Sequence, residues 1–130
     1  MKKSKVILLV EDDELCRELE KTLFEQAGYT VLESEDAQAG IKLAEKEKPD
    51  FIVMDFQLPK MNGIEAVRIL KHNSNTENIP CIIVTASATE ERIEKIKSSD
   101  ACGYVTKPIN TRTFVEEVTQ LARKAGVTNI

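Results

Sequence analysis

FIVMDFQLPKMNG, residues Phe51 to Gly63, is the stretch whose reading decides the fold. An apolar run ends in one carboxylate, Asp55, with a proline at Pro59 and a glycine at Gly63. That order predicts a fully buried strand that delivers an acid to its C-terminal tip, then a loop, then a helix. In open parallel sheets, ligands bind outside the carboxyl ends of the strands. Asp55 is therefore a candidate site residue. Taken alone, an acid after a strand is more simply a turn cap, so the rest of the chain has to decide.

Upstream, Val6–Val10 is an apolar run of strand length that stops at Glu11, Asp12, Asp13 and Glu14. Asp12 or Asp13 can cap the helix that follows, where Leu15, Leu19, Leu23 and Ala27 recur every fourth residue until Gly28. Tyr29–Glu33 reads as a second strand, and Asp36 opens a second helix with Ala37, Ile41 and Ala44 on one face. Downstream, Asn62 and Glu65 form a capping box for a helix with Ile64, Val67 and Leu70 as its stripe. Ile79–Thr85 is the fourth strand. Ser87 with Glu90 reads as another capping box, for a helix over Thr89–Ser98. Ala101–Thr106 is the fifth strand, ending at Lys107-Pro108, and Asn110 caps a last helix with Phe114, Val118, Leu121 and Ala122 on one face. Five strand–helix units in strict alternation predict an α/β fold, a five-stranded parallel sheet with helices on both faces. One domain over residues 4–125 is expected, with a loose tail over 126–130 and no DNA-binding module in the chain.

Composition narrows the function classes. Hydrophobic content of 42% with 31% charged residues fits a globular chain, and a net charge of −4 argues against an extensive nucleic-acid surface. Cys16, Cys81 and Cys102 are widely spaced and odd in number, which predicts reduced, mostly buried packing thiols in a cytoplasmic protein. Lys2, Lys3 and Lys5 before an apolar run imitate an export signal. The run meets acids after five residues, too soon for export or for spanning a membrane. His72 reads as a surface residue at a helix C-terminus.

The strand tips carry the chemistry. Glu11 and Asp12 follow the first strand, Asp55 the third, Thr85 ends the fourth, and Lys107 follows the fifth. Neighbouring strands lie about 5 Å apart, so these groups converge on one end of the sheet. Close carboxylates repel, and they need raised pKa values or a divalent cation. Oxygen ligands without His or Cys favour Mg²⁺ over zinc. A carboxylate beside Mg²⁺, an ammonium and a hydroxyl is also what phosphoryl transfer onto Asp requires.

On the segments LLVEDDELCRELE, PDFIVMDFQLPKMNG, IPCIIVTAS and GYVTKPI, in that order, the chain resembles the receiver domain of two-component response regulators. The resemblance covers essentially all of the chain. It implies a flavodoxin-like, doubly wound sheet of strand order 2-1-3-4-5. It also implies that Asp55 accepts a phosphoryl group from a phosphohistidine on a sensor histidine kinase or a histidine phosphotransfer protein. Asp12 would ligate Mg²⁺, for which Mn²⁺ can substitute, and Glu11 would help through water. Asp55 and the backbone carbonyl of Gln57 would complete the ligands. Thr85 would hydrogen-bond the phosphoryl group, Lys107 would pair with it, and Tyr104 would be the aromatic switch. The Lys107–Pro108 peptide is expected to be cis. The face of the fourth helix, fifth strand and fifth helix would bind an output partner, and phosphorylation-dependent homodimers are open to such a chain. No membrane association and no metabolic catalysis are implied.

Glu11-Asp12 and Asp12-Asp13 both offer an acidic pair; Glu11-Asp12 is chosen because it directly follows Val10, which leaves Asp13 as the helix cap. A phosphatase of the haloacid dehalogenase type would use similar residues, but it has a second Asp two positions after the nucleophile, where this chain has Gln57. A nucleotide- or flavin-binding domain would need a Gly-rich loop after the first strand, which is absent. A receiver kept only as a docking surface sits poorly with intact Asp55, Thr85 and Lys107. The fourth helix has only Ile93 and Ile96 as anchors, which predicts the least firmly packed helix and a bistable element.

Overall fold

The computed structural model describes residues 5–130. Lys2, Lys3 and the expected domain start at residue 4 lie outside the described residues. The elements are β1 (Val6–Val10), α1 (Glu14–Gln26), β2 (Thr30–Ser34), α2 (Ala37–Glu47), β3 (Phe51–Asp55), α3 (Gly63–Lys71), β4 (Cys81–Thr85), α4 (Glu90–Lys97), β5 (Gly103–Thr106) and α5 (Phe114–Lys124). All pairings are parallel, in the order β2-β1-β3-β4-β5, which is the doubly wound order expected.

The period-2 alternation of each strand divides the core in two. Leu8, Val10, Ile52, Met54 and Ile83 face one side, under Ala37, Ile41 and Ala44 of α2 and Ala66, Val67 and Leu70 of α3. Ile7, Leu9, Phe51, Val53, Ile82 and Val84 face the other, under Phe24 of α1 and Phe114, Val118 and Ala122 of α5. Every residue of β3 and β4 is buried, because helices cover both faces of the two strands. α4 contributes one buried residue, Ile96. That is the thin packing its composition predicts.

Several local expectations are corrected. Leu15 is 77% and Leu19 44% exposed, and Ala27 is exposed; the sheet-facing residues of α1 are Glu20 and Phe24. The reason is geometric: at 3.6 residues per turn a strict fourth-residue repeat drifts around the helix and cannot stay on one face. α4 is capped by Thr89, whose hydroxyl accepts from Arg92 N at 3.2 Å, while Ser87 Oγ only reaches Thr89 Oγ1 at 3.4 Å. Asn110 caps a preceding turn through Arg112 N at 3.0 Å, and α5 begins four residues later without a side-chain cap. The cysteines differ in burial: Cys81 is buried, Cys16 half-buried and Cys102 exposed. After α5, Val127 N donates to Ala122 O at 3.0 Å, and Val127 and Ile130 pack against the α1/α5 core.

Candidate functional site

The site stands at the C-terminal end of the sheet. Val10↔Met54 and Asp55↔Val84 are register partners, as are Thr85↔Thr106, so β1, β3, β4 and β5 end at one level. The residues just beyond their apolar runs are therefore held side by side by the ladder itself. Glu11 is 1% and Asp55 8% exposed, whereas Asp12 is open to solvent. One carboxylate oxygen from each of the three lies within 4.8 Å of the other two.

Lys107 reaches into this cluster from beyond β5. Its Nζ donates to Glu11 Oε1 at 2.5 Å and lies 3.1 Å from Asp55 Oδ1. It precedes a cis peptide bond to Pro108. Burial opposes its charge, but the bond to Glu11 and the charges of Asp55 and Glu11 prevail and hold the ammonium above its ordinary range. For Asp55 the balance is reversed. Burial first, and then the negative charge of Glu11, push its carboxyl up to about 7 against the pull of Lys107.

Asp13 is separate from the cluster. Its Oδ2 accepts from Cys16 N at 2.8 Å, and this N-cap bond is what lowers its pKa. Of the two readings of the acidic run, the geometry brings Glu11 and Asp12 to Asp55 and gives Asp13 to α1. Three close carboxylates without His or Cys form a hard oxygen donor set that suits Mg²⁺ or Mn²⁺. Gln57 lies two residues beyond Asp55, exposed, in the β3–α3 loop. That loop closes tightly: Gly63 N donates to Phe56 O at 2.7 Å, and a Cβ on Gly63 would stand 2.6 Å from Asp55 O.

Thr85 is fully buried, and its hydroxyl faces the β4–α4 loop. Oγ1 donates to Ser87 O at 3.1 Å, and accepts from Ser87 N at 3.2 Å and from Arg92 Nη1 at 3.4 Å. Tyr104 is half-buried on β5, where it lines a shallow groove with Arg112, just before α5, and Glu116 and Leu121 of α5.

Sequence reasoning missed three neighbours. Glu20 of α1 is 3% exposed and its carboxyl is pushed up to about 8, by burial first and then by the charge of Glu11. Its sequence signal is an acid four residues before Phe24, on the sheet-facing stripe. Arg92 stacks on the ring of Phe56 with Cζ 3.7 Å from the centroid. Its signal is a cation in the first turn of a helix, where cations are disfavoured. Arg17 donates to Glu11 O at 2.8 Å and pairs with Glu33 and Glu35. It had no distinguishing signal among the other surface charges of α1.

Comparison with known proteins follows the same lines. Residues 7–119 match the model of the response regulator receiver domain. The polar-differentiation response regulator DivK of Brucella anthropi is 35% identical over 114 residues, 88% of this chain and 93% of that protein. Its counterpart in Brucella ovis is likewise 35% identical, over 115 residues, 88% of this chain and 94% of that one. Among solved structures, the chemotaxis response regulator CheY4 of Vibrio cholerae superposes with a TM-score of 0.85 at 25% identity, covering 92% of this chain and 99% of that one. A CheY-like receiver domain protein of Methanospirillum hungatei gives 0.84 at 27% identity, covering 95% and 97%. No described helix is long and apolar enough to cross a membrane.

Proposed function

Since the chain belongs to the response regulator receiver family, we propose that Asp55 is its phosphoacceptor and that the phosphodonor is a phosphohistidine on a sensor histidine kinase or a histidine phosphotransfer protein. The observation that carries this reading is the cluster of buried Glu11 and Asp55, bridged by Lys107, with the solvent-facing Asp12 beside them. One Asp55 oxygen attacks phosphorus and the P–N bond to the imidazole breaks. The electron pair leaves with the ring nitrogen, and the new bond is a mixed carboxylic–phosphoric anhydride. Ionised Asp55 is the competent nucleophile, and a pKa near 7 keeps a substantial ionised share at neutral pH.

Glu11, Asp12, Asp55 and the backbone carbonyl of Gln57 are the residues that hold Mg²⁺ in this reading, with Mn²⁺ as a substitute. Mg²⁺ held by these residues would offset charge on the phosphoryl oxygens. Lys107, already 3.1 Å from Asp55, transfers its contact to a phosphoryl oxygen. Thr85 turns its hydroxyl from Ser87 to the phosphoryl group, which draws in the β4–α4 loop. The space this vacates lets Tyr104 move inward, and the α4–β5–α5 face changes shape for an output partner. The protein thus promotes its own modification but acts through a conformation, not through a released product.

Mass spectrometry after incubation with acetyl phosphate and Mg²⁺ tests this. The expected result is one phosphoryl adduct that is absent in Asp55→Asn. An adduct that persists in the variant, or none in the wild type despite bound Mg²⁺, would remove Asp55 from the role.

A further inference from the structure

Arg92 stands at the third position of α4, after Thr89 as N-cap and Glu90 and Glu91 in the first turn. The two acids match the positive end of the helix dipole, and the arginine opposes it. Among the described residues no carboxylate pairs with it. Its guanidinium instead has two partners, and both belong to the site. Phe56, whose ring lies under Cζ at 3.7 Å, directly follows Asp55, and Thr85, to which Nη1 donates at 3.4 Å, is the switch hydroxyl. Stacking on a nearly buried ring fixes the plane of the guanidinium without using up its other N–H groups.

The charge balance gives this placement a purpose. Ionised Glu11, Asp12 and Asp55 with Lys107 leave two negative charges, which one divalent cation cancels. An aspartyl phosphate carries about two negative charges where the carboxylate carried one. One negative charge is then left over at the buried tip of β3, and Arg92 is a cation hydrogen-bonded to Thr85 and stacked on Phe56, the residue that follows Asp55.

We propose that Arg92 is a second cationic contact of the phosphoryl group, joining Thr85 and Lys107 and approaching from the α4 side of the site. The inference rests on Asp55 being the phosphoacceptor. When Thr85 turns to the phosphoryl group, the guanidinium behind it follows, and its planar fork donates to a phosphoryl oxygen left free by Lys107. No covalent bond is made or broken by Arg92; it holds the group and ties the first turn of α4 to it.

The test is a titration with trifluoroberyllate, a phosphoryl mimic, in the presence of Mg²⁺, followed by fluorine NMR for the wild type, Arg92→Gln, Arg92→Lys and Asp55→Asn. Loss of one charge-assisted hydrogen bond predicts that Arg92→Gln needs about tenfold more mimic for half-saturation, with Arg92→Lys recovering part of the deficit. Raising the salt from about 0.05 to 0.5 M should narrow the gap, since the contact is ionic. Equal half-saturation in wild type and Arg92→Gln, with binding still dependent on Asp55, would overturn the role of Arg92 alone. So would a deficit that neither salt nor lysine changes, which would mark a structural effect through α4. Binding that is absent in the wild type, or unchanged in Asp55→Asn, would overturn the phosphoacceptor reading and this inference together.

Discussion

Glu20 gives the sharpest physical prediction. It sits on the sheet-facing side of α1, 3% exposed, with Glu11, Asp55 and Lys107 as its charged neighbours, and its pKa is raised from 4.5 to about 8. Between those two values the folded protein holds a proton that the unfolded chain has released. Stability therefore falls as pH rises from 4.5 through 8, with a slope approaching about 1.4 kcal/mol per pH unit. Glu20→Gln keeps the shape of the side chain and removes the titration. The variant's stability relative to the wild type should grow by about 3 kcal/mol between pH 5 and pH 8. Other groups, including Asp55, titrate in both proteins and largely cancel in the difference. Urea unfolding in EDTA at four pH values reads the effect, since at slopes of about 1–3 kcal/mol/M it corresponds to midpoints separating by roughly 1–3 M. A difference between the two proteins that stays constant from pH 5 to 8 would refute the reasoning, whatever its sign.

The remaining predictions concern the site and its frame. Asp13→Ala should cost about 1 kcal/mol in a thermal or urea melt, the loss of an N-cap, and leave Mg²⁺ affinity nearly intact, whereas Asp12→Asn should lose at least about tenfold in affinity by calorimetry; equal losses would reverse the assignment of the acidic pair. Mg²⁺ affinity should climb by up to tenfold per pH unit below about 7 and level off above it, because the cation must displace a proton from Asp55; a flat calorimetric profile from pH 5.5 to 8 would contradict this. Gly63→Ala places a Cβ 2.6 Å from the backbone oxygen of Asp55, and should cost about 1–3 kcal/mol as the β3–α3 loop shifts, read by urea melts. Hydrogen exchange over residues 88–99 should be the fastest among the helices and should change with trifluoroberyllate bound; unchanged protection would remove α4 as the responsive element.

What was legible in the sequence followed from strands more than from helices. Phe51–Asp55 and residues 7–10 of β1 are buried on both faces, so their apolar runs need no phase to be read, and the chain leaves each run at the sheet edge. That is why Glu11, Asp55, Thr85 and Lys107 could be assembled from spacing alone. Helix faces need an angle as well as a spacing. The leucine repeat of α1 pointed to the wrong face because Leu15 and Leu19 lie away from the sheet, and the same error hid Glu20 on the right one. Arg92 was hidden for another reason. Its place in the first turn of α4 marks it as unusual, but its contact with Phe56 and Thr85 depends on how α4 sits over the β3–α3 loop, and the sequence pattern does not carry those partners.

The site is held under electrostatic tension, and in the proposed reading that tension is what would let a small group on Asp55 move a surface. Lys107 serves two carboxylates at once, Glu20 is kept protonated by its surroundings, and Asp55 resists ionisation. The fold tolerates this because β3 and β4 are buried throughout and fix the tips regardless of charge. A ligand shifts a conformational equilibrium only by as much as it favours one state over the other. A phosphoryl group on Asp55, as proposed, would give Lys107 and Thr85 better partners than those they now have. Thr85 spends its hydroxyl on Ser87 and Arg92, all within or next to the β4–α4 connection. Redirecting that one hydroxyl would therefore pull on the helix with the fewest buried anchors among the described residues, and in the proposed reading α4 is where relief of tension at the strand tips would become motion at the surface.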